Sequence, residues 1–459
     1  MNPPNRAGPR SIPEMLAVLD RVLDWVLDDG AIGRSLACSA APDDYDALRR
    51  EPLGQIEDPG GMGLGRQHGQ HLTRRIANSM SFIPFELEAI QSRWEQQVSF
   101  NLVESGVQPL RLEELLAAGP LSVEELLATE LNYPHVNGIP ELREHIARLY
   151  PVAGANAADI DNVLVTVGAS EANSIIMQTL MEPGDELLTQ TPTYLQLWGT
   201  ALNTGHQART FGLRPDAGWA LDLDALHAGL SEKTKIIAVC NPNNPTGYIL
   251  SESEMDAIIA AADRVGAWIV ADEVYRGTER LRDAETASFY GRYDKVLCLG
   301  SLSKAYGLPG LRIGWVIGPA SMIDDLWRRH EYTTVATTML SNRLAVQALS
   351  PSVRDRLIER TRRYVRRGFP LLEAWMRDQG GLFSYTPPQA TAMTFIRYHL
   401  PINSTALMER LCREASVFVG AGDAFGMDNY LRISFGQEQP ALEAALARIG
   451  SVFDQLRSA

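Results

Sequence analysis

One lysine, with a serine three residues before it and an arginine eight residues after it, is the clearest chemical signal in this sequence. Ser301, Lys304 and Arg312 carry that spacing in the segment SLSKAYGLPGLRIGW. The 459 residues include 42 lysines and arginines, of which only four are lysines: Lys233, Lys235, Lys295 and Lys304. Arginine cannot replace a lysine that must lose a proton and attack a carbonyl carbon. Alone, Lys304 is also typical of a surface charge, but its neighbours could hold an anion beside a nucleophilic amine.

Further polar groups follow apolar, strand-like runs. Asp272 ends the run AWIVAD, and Tyr275 comes three residues later. Asn244 lies in NPNNPTG, which by itself indicates only a turn. Gly168–Ser170 follow the run VLVTV and open a helical pattern, where free backbone N–H groups can bind an anion. A buried aspartate is also explained by a helix N-cap or a structural ion pair, so Asp272 is not diagnostic alone.

Taken together, an anion cradle, a carboxylate, a phenol, an asparagine and one lysine fit pyridoxal 5′-phosphate. The lysine would form a Schiff base with the aldehyde of the cofactor. The carboxylate would keep the pyridine nitrogen protonated, so that the ring withdraws electrons. The sequence therefore predicts a pyridoxal-phosphate site.

The elements that must position these residues alternate between strand and helix patterns. This alternation predicts an α/β domain over residues 112–335, with a mostly parallel sheet and helices on both faces. Ligands of such sheets bind at the C-terminal ends of the strands, where the polar residues lie. The runs AMTFIRY and NYLRISFG indicate a smaller α+β domain over residues 336–459, joined by an N-terminal arm over residues 96–111.

Residues 1–95 form a predicted N-terminal extension that is partly helical. Ser11 and Glu14 have the spacing of a capping box at the start of a helix. The glycines of Asp58–His71 indicate a flexible loop, and we expect no metal site there. The extension has ten arginines, no lysine and fourteen acidic residues, which gives a charge of about −4. That sign argues against a DNA-binding module.

The bulk composition excludes other classes. A net charge of −14 argues against a nucleic-acid partner, and no apolar run is long enough to cross a membrane. The first residues lack the apolar core of a secretory signal. The four cysteines show no C-x-x-C spacing, so we expect buried thiols in the cytoplasm and no metal site.

From about Phe100 onwards these motifs resemble the aspartate aminotransferase superfamily, the fold-type I pyridoxal-phosphate enzymes of class I and II. The resemblance implies that Lys304 is the Schiff-base lysine and also moves the proton of the substrate Cα. It implies that Asp272 pairs with the pyridinium nitrogen, and that Asn244 and Tyr275 donate to the 3′-oxygen of the ring. It also implies that Tyr194 in the PTY motif stacks on the ring.

The same resemblance implies a set of residues that hold the cofactor phosphate: Gly168, Ala169, Ser170, Ser301 and Arg312. Tyr133 in YPHVNG would reach the phosphate of a neighbouring subunit, which implies a homodimer with shared sites. The substrate side would be formed by Arg432, which grips the α-carboxylate, by Asn244, and by Gly106, which lies over the substrate.

Several positions depart from the common family pattern. Gly420 and Ala421, and likewise Ala390 and Thr391, stand in loops that lie near the substrate in the family. The ESG segment resembles the capreomycidine synthase-like branch, which acts on an arginine-derived substrate. Glu104 would then meet a cationic side chain, although a solvated carboxylate or a turn cap is the more common explanation for such a residue.

The leading prediction is an aminotransferase of amino-acid metabolism or biosynthesis, which acts on an α-amino acid and a keto acid. The alternative keeps the fold and the cofactor but is a lyase, cyclase or oxidase, because the same residues serve all these outcomes. A pyridoxal-phosphate-binding transcription regulator is a remote alternative, disfavoured by the acidic extension.

Overall fold

The computed structural model describes residues 82–152 and 158–458, which lie within the compact unit Gly63–Ala459. The predicted helix at Ser11 and the segment Asp58–His71 fall outside the described residues and stay predictions. Within the described ranges, no helix combines the length and the apolar character that a membrane span requires.

The helices and strands are numbered here in chain order. The strands are β1 (Phe100–Asn101), β2 (Val163–Thr166), β3 (Glu186–Thr191), β4 (Gln207–Arg214), β5 (Ala220–Leu221), β6 (Thr234–Cys240), β7 (Trp268–Asp272), β8 (Val296–Ser301), β9 (Gly314–Ile317), β10 (Phe383–Ser384), β11 (Met393–Tyr398), β12 (Val417–Phe418), β13 (Gly420–Ala421) and β14 (Tyr430–Ser434). The α-helices are α1 (Glu86–Trp94), α2 (Leu112–Ala117), α3 (Val123–Leu127), α4 (Pro140–Ala147), α5 (Gly168–Leu180), α6 (Gln196–Asn203), α7 (Leu223–Gly229), α8 (Glu252–Val265), α9 (Ala320–His330), α10 (Met339–Leu349), α11 (Pro351–Asp378), α12 (Ser404–Arg410) and α13 (Gln439–Ser458).

Eight strands form the large sheet, in the order β2-β9-β8-β7-β6-β3-β4-β5. Strands β8, β7, β6, β3 and β4 run parallel, whereas β9 is antiparallel to both of its neighbours. Successive side chains of a strand point to opposite faces. Accordingly, Ile237 and Ile269 pack in one apolar core, while Ile236 and Val270 pack in another on the opposite face.

Helices cover both faces of this sheet. Helices α4, α8 and α10 contribute Leu142, Ile258 and Leu344 to the first core, and α5 and α9 contribute Ile176 and Leu326 to the core on the other face. The predicted α/β architecture with a mostly parallel sheet is therefore confirmed.

Local sequence signals set the ends of these helices. Ser251 and Glu254 form a capping box at the start of α8: each side chain accepts a hydrogen bond from the backbone N–H of the other residue. The helix ends at Gly266, whose φ of +68° is left-handed and costs glycine little. Helix α8 thus separates β6 from β7 and keeps these strands parallel.

A third apolar core surrounds the antiparallel sheet β10-β11-β14-β13. Helices α11 and α13 pack against it through Phe369, Leu372 and Ile449. Strand β1 pairs in parallel with β12, and Val103 is buried in the same core, so the segment after β1 joins this smaller α+β unit. The boundaries 95/96, 111/112 and 335/336 stay predictions.

Helix α1 contacts two of these cores. Leu87 is buried in the first core, whereas Ile90 and Trp94 pack against the third. Ile83, just before the helix, exchanges two hydrogen bonds of 2.7 and 2.9 Å with the Asn203 side chain. The last part of the predicted extension therefore packs between the first core and the core of the small sheet.

The C-terminal ends of β6, β7 and β8 meet at one edge of the large sheet. Cys240 is in register with Asp272, and Asp272 with Leu299. The loops that follow these three strands carry Asn244, Tyr275 and Lys304. Chemically active side chains that are distant in sequence thus converge at one place.

Candidate active site

A cavity of about 280 Å³ opens at this edge of the sheet. Eleven of the sequence-predicted site residues line it: Glu104, Ala169, Ser170, Tyr194, Asn244, Asp272, Tyr275, Ser301, Lys304, Arg312 and Arg432. Two predicted glycines adjoin the cavity. A Cβ on Gly168 would overlap the Arg312 guanidinium, and a Cβ on Gly106 would lie 3.9 Å from Cδ of Lys304.

Lys304 forms an ion pair with Glu104. The Nζ atom lies 2.9 Å from Oε1 of Glu104, and the Lys304 side chain is 24% exposed. Burial lowers the pKa of the Lys304 ammonium, but the charges of Glu104 and Tyr275 outweigh it, and the pKa is raised overall. The Lys304 ammonium lowers the pKa of Glu104 to about 2. Glu104 is therefore not simply solvated, because its carboxylate pairs with the Lys304 ammonium.

A short turn places Glu104 over the lysine. The Asn101 side-chain oxygen accepts hydrogen bonds from the N–H groups of Val103 and Glu104, at 2.9 and 3.3 Å. Gly106 follows, where a Cβ would lie 3.5 Å from the carbonyl oxygen of Ser303. The chain after β1 therefore lies close to the lysine loop and presents the carboxylate to the amine.

Asp272 ends β7 and faces the same cavity. Its Oδ1 accepts a hydrogen bond from the N–H of Val274 over 3.1 Å. Burial raises the pKa of Asp272 to about 6, although the Val274 hydrogen bond and the Lys304 charge oppose this rise. A desolvated carboxylate gains stability from a positively charged nitrogen beside it, which is what a pyridinium would supply.

The predicted anion cradle forms where α5, β8 and β9 come together. Helix α5 begins at Gly168, whose φ is +72°, and a Cβ on Gly314 would overlap the backbone of Gly168. Arg312 has a left-handed φ of +52°, rare for a residue with a side chain, and donates to the carbonyl of Pro309 at 3.0 Å. Ser301 donates to the carbonyl of Ile313 at 3.1 Å. The start of α5, the Ser301 hydroxyl and the Arg312 guanidinium therefore surround a position where an anion can bind.

The buried carboxylate of Glu171 stabilises the start of α5, which forms part of this cradle. Glu171 accepts hydrogen bonds from the N–H of Val167 at 2.6 Å, from Thr334 at 2.7 Å, and from Thr333. Nδ1 of the fully buried His330 lies 3.2 Å away. The first turn of α5 is thus held in place independently of any bound anion.

Two phenols of the cavity are held by side chains from the N-terminal segment. Tyr275 donates to the Ser105 hydroxyl over 2.9 Å, and burial raises the pKa of its phenol to about 12. Tyr194 donates to Oε1 of Glu88 over 2.7 Å, and its ring meets that of Phe85 edge to face with centroids 4.7 Å apart. Burial, followed by the Glu88 charge, raises the pKa of Tyr194.

Arg432 reaches the cavity from β14 of the small sheet. It is 3% exposed and donates to the Asn244 side-chain oxygen at 2.9 Å and to the Val103 carbonyl at 2.7 Å. Its Nε has no hydrogen-bond partner within the described part of the chain. A buried guanidinium with neutral acceptors and a free N–H is suited to a carboxylate ligand.

Tyr133 is the one predicted site residue that stands apart. It does not line the cavity, and it is 85% exposed. Its predicted contact with the phosphate of a neighbouring subunit stays a prediction.

Sequence reasoning missed several residues that line the cavity: Leu87, Glu88, Gln91, Val103, Ser105, Asn173, Gln196 and Ser303. Ser105 and Ser303 are sequence neighbours of predicted site residues, and that proximity could have indicated them. Glu88 lies in α1, where the sequence has no motif that points to a site.

The residues present fit pyridoxal 5′-phosphate. An amine, a carboxylate whose pKa is raised, two phenols and an anion cradle line one cavity. The left-handed φ of +72° favours glycine at Gly168, where the two anion-binding elements meet. Each part of the cofactor thus has a group of matching chemistry.

Comparisons with known proteins agree with this geometry. Residues 106–449 match the family model for aminotransferase class I and II. Capreomycidine synthase of Streptomyces vinaceus is 32% identical over 358 residues, which cover 77% of this chain and 89% of that protein. Arginine–pyruvate transaminase AruH of Pseudomonas aeruginosa is 28% identical over 308 residues, which cover 66% and 77% of the two chains.

A solved structure supports the same assignment. The crystal structure of a pyridoxal-phosphate-dependent aminotransferase from Streptococcus suis superimposes with a TM-score of 0.76 at 28% identity, and the match covers 82% of this chain and 99% of that one. These comparisons confirm the predicted fold type I. The chain belongs to the class I and II aminotransferases, and its cofactor is pyridoxal 5′-phosphate.

Proposed function

We propose that Lys304 is the residue through which this aminotransferase binds its cofactor covalently and moves the α-proton of its substrate. The observation that carries the proposal is the position of the Lys304 amine, in one cavity with Asp272, Tyr275 and Arg312. Lys233, Lys235 and Lys295 do not line this cavity. In an aminotransferase, an α-amino acid gives up its amino group and a keto acid receives it.

The cofactor, when bound, supplies an electron sink for the bond at the substrate Cα. In our proposal Asp272 holds the proton on the pyridine nitrogen, since its partly buried carboxylate is stabilised by a positive neighbour. Tyr275 and Asn244 donate hydrogen bonds to the 3′-oxygen, and Tyr194 lies against the ring.

The phosphate would bind at the start of α5. The backbone N–H groups of Gly168, Ala169 and Ser170 are free there because a helix start has no internal acceptors for them. Ser301 and Arg312 approach from the lysine loop and add a hydroxyl and a fixed positive charge. The left-handed backbone of Arg312 is the kind of local strain that occurs at binding sites.

Arg432 would orient the substrate. A carboxylate binds a guanidinium more strongly than the neutral oxygens of Asn244 and Val103 do, because both partners are then charged. The incoming α-carboxylate therefore takes over these donors, and the freed amide of Asn244 can donate to the substrate or to the cofactor. In our proposal Gly106, in the segment beside the lysine loop, lies over the substrate.

We further propose a homodimer with shared sites. Large apolar side chains are exposed in two segments of the described chain, 127–133 and 332–340: Leu127, Leu131, Tyr133, Tyr332, Val335 and Leu340. A second copy would cover them and bring Tyr133 to its phosphate. Light scattering at micromolar concentration should give twice the chain mass; a monomer that remains active would contradict the shared site.

Two supporting observations favour a cationic substrate side chain at Glu104. The carboxylate already binds an ammonium, that of Lys304. One relative is an arginine–pyruvate transaminase. Turnover should then be faster with arginine or ornithine than with norvaline, and Glu104→Gln should remove this preference; an equal preference in both proteins would contradict it.

One observation favours a second candidate function. The 32% identical relative is a synthase rather than a transaminase, and the extra carboxylate beside Lys304 could serve an elimination or cyclisation. A lyase, cyclase or oxidase of an amino acid on this fold is that candidate. We also propose that the protein is cytoplasmic and biosynthetic, as three buried free thiols, Cys240, Cys298 and Cys412, and this relative suggest.

A single-turnover experiment separates the two functions. The cofactor-loaded protein is mixed with one amino acid at a time, without a keto acid, and the cofactor and product are identified by absorbance and mass spectrometry. Amino transfer predicts one equivalent of keto acid, with the cofactor left as its amine until a keto acid is added. Recovery of the cofactor as its aldehyde, with multiple turnovers, would instead establish the second candidate.

A further inference from the structure

The pairing of Glu104 with Lys304 assigns the carboxylate a role beyond substrate recognition. We propose that Glu104 is a positioning residue, the charge partner of Lys304: it holds the lysine as an ammonium whenever the amine is free, and so it sets the pH above which the nitrogen can react. This inference rests on the proposed function of Lys304.

The geometry singles out this carboxylate. Its Oε1 lies 2.9 Å from Nζ, within hydrogen-bond distance, and Glu104 is the one acid that forms an ion pair with Lys304 in the described part of the chain. The two hydrogen bonds to the Asn101 side chain hold the backbone of this turn. The carboxylate is therefore positioned to pair with the ammonium without a rearrangement of the main chain.

The other charged or titratable groups that act on Lys304 serve this purpose less well. Tyr275 donates its proton to Ser105, and its pKa of about 12 makes the phenolate scarce at neutral pH. Asp272 ends a strand and contacts the N–H of Val274, with no contact to Nζ. Arg432 is positive and opposes a second positive charge nearby. Glu104 remains as the charge partner of the ammonium.

Only the neutral form of the Lys304 amine can react. A lysine amine has an ordinary pKa of about 10.4, so only about one molecule in 2,500 is neutral at pH 7. The paired Glu104 carboxylate has a pKa of about 2, so it stabilises the ammonium and does not take its proton, which leaves to the solvent. When the amine is later released, a proton returns to it from the solvent and the ion pair forms again.

The scarcity of lysine makes the proposal measurable. The cofactor-free protein is labelled with a trace of acetic anhydride from pH 6 to pH 11, and mass spectrometry gives the acetylation of Lys304 relative to Lys295, Lys233 and Lys235. Since only the neutral amine reacts, the profile reports the apparent pKa of Lys304. The removal of the paired charge in Glu104→Gln should lower this pKa by about one unit, so that relative labelling at pH 8 rises about tenfold.

Two further variants keep the test decisive. Glu104→Asp retains a carboxylate and should label within about threefold of the wild type, and Glu359→Gln removes an exposed acid of α11 and should leave the profile unchanged. The pH profile of cofactor capture, followed by absorbance, should move to lower pH in Glu104→Gln by the same amount as the labelling profile. Unchanged labelling of Lys304 in Glu104→Gln would overturn the proposal.

The labelling is independent of the cofactor. It reports the Glu104–Lys304 pair even if Lys304 proved not to bind pyridoxal phosphate, which borohydride trapping on the wild-type protein tests separately. A failure of the inference and a failure of the proposed function are therefore distinguishable.

Discussion

Arg432 donates a hydrogen bond to the side-chain oxygen of Asn244 over 2.9 Å, and this contact joins the small antiparallel sheet to the strand-end loop of the large sheet. The same guanidinium donates to the carbonyl of Val103, and its Nε is without a partner within the described residues. Burial lowers the pKa of Arg432, so the site already carries the desolvation cost of this cation. A substrate carboxylate at this position would offset that cost.

Arg432→Lys should raise the KM for the amino acid about 30- to 100-fold, because about 2–3 kcal/mol of charge-assisted, bidentate binding is lost. The absorbance of the bound cofactor should stay unchanged, since the contact is to the substrate. Arg397→Lys, on the exposed side of the neighbouring strand, is the matched control. Steady-state kinetics with an unchanged KM in Arg432→Lys would contradict this role.

Two variants of Arg312 distinguish the effect of its charge on cofactor binding from the effect of its strained backbone on stability. Arg312→Ala and Arg312→Gly both remove the guanidinium and should weaken cofactor binding similarly, by about tenfold or more. Only glycine relieves the left-handed φ of +52°, so the glycine variant should be more stable than the alanine variant by about 1 kcal/mol. Cofactor titration and thermal melting of the cofactor-free proteins measure the two effects. Equal melting temperatures would show that the backbone is not strained.

Asp272→Asn should stabilise the cofactor-free protein at neutral pH. The pKa of Asp272 rises from 3.8 to about 6 on folding, so between these values the folded protein holds a proton that the unfolded chain has lost. The free energy of unfolding therefore falls as pH rises through this window, and the cost of the ionised group is complete above pH 6. Removal of the charge should add on the order of 1–3 kcal/mol at pH 8 and less at pH 5.

Melting temperatures at pH 5 and pH 8 check this, with Asp324→Asn, an exposed acid of α9, as the control. The same Asp272→Asn variant should lose most of its amino-transfer activity, since the neutral amide cannot hold a proton on the pyridine nitrogen. A variant that is less stable at pH 8 than the wild type would contradict the desolvation argument.

The contact between Glu88 and Tyr194 should be visible in a double-mutant cycle. Glu88→Ala and Tyr194→Phe each remove one side of a 2.7 Å hydrogen bond, and each should weaken cofactor binding because the ring of Tyr194 loses its fixed orientation. The double variant should bind no worse than either single variant, with a coupling of about 1–3 kcal/mol. Strictly additive losses would show that Glu88 does not act through Tyr194.

The sequence alone predicted the α/β architecture and most of the residue set proposed for the site. Apolar runs such as VLVTV and AWIVAD are local signals, and they indicated the strands of the large sheet. The site residues follow from motifs whose spacing is constrained by the cofactor, so eleven of them line one cavity in the structure.

The contacts between these motifs could not be predicted. The partners of Lys304 and Tyr275 come from the segment after β1, about 170 to 200 residues away. Side-chain contacts between residues so far apart in sequence depend on how the small sheet and its core pack against the large sheet. No local sequence pattern encodes that packing. For the same reason the role of α1 was missed: its apolar residues indicate a helix, but not that Glu88 faces a cavity.

The central claim is that Lys304 binds the cofactor. The protein is incubated with pyridoxal 5′-phosphate, reduced with borohydride, digested and examined by mass spectrometry, with Lys304→Ala as the control. We predict a phosphopyridoxyl group on Lys304, in about one copy per chain, and none at Lys233, Lys235 or Lys295. A label on another lysine, or an equal label in Lys304→Ala, would contradict the account.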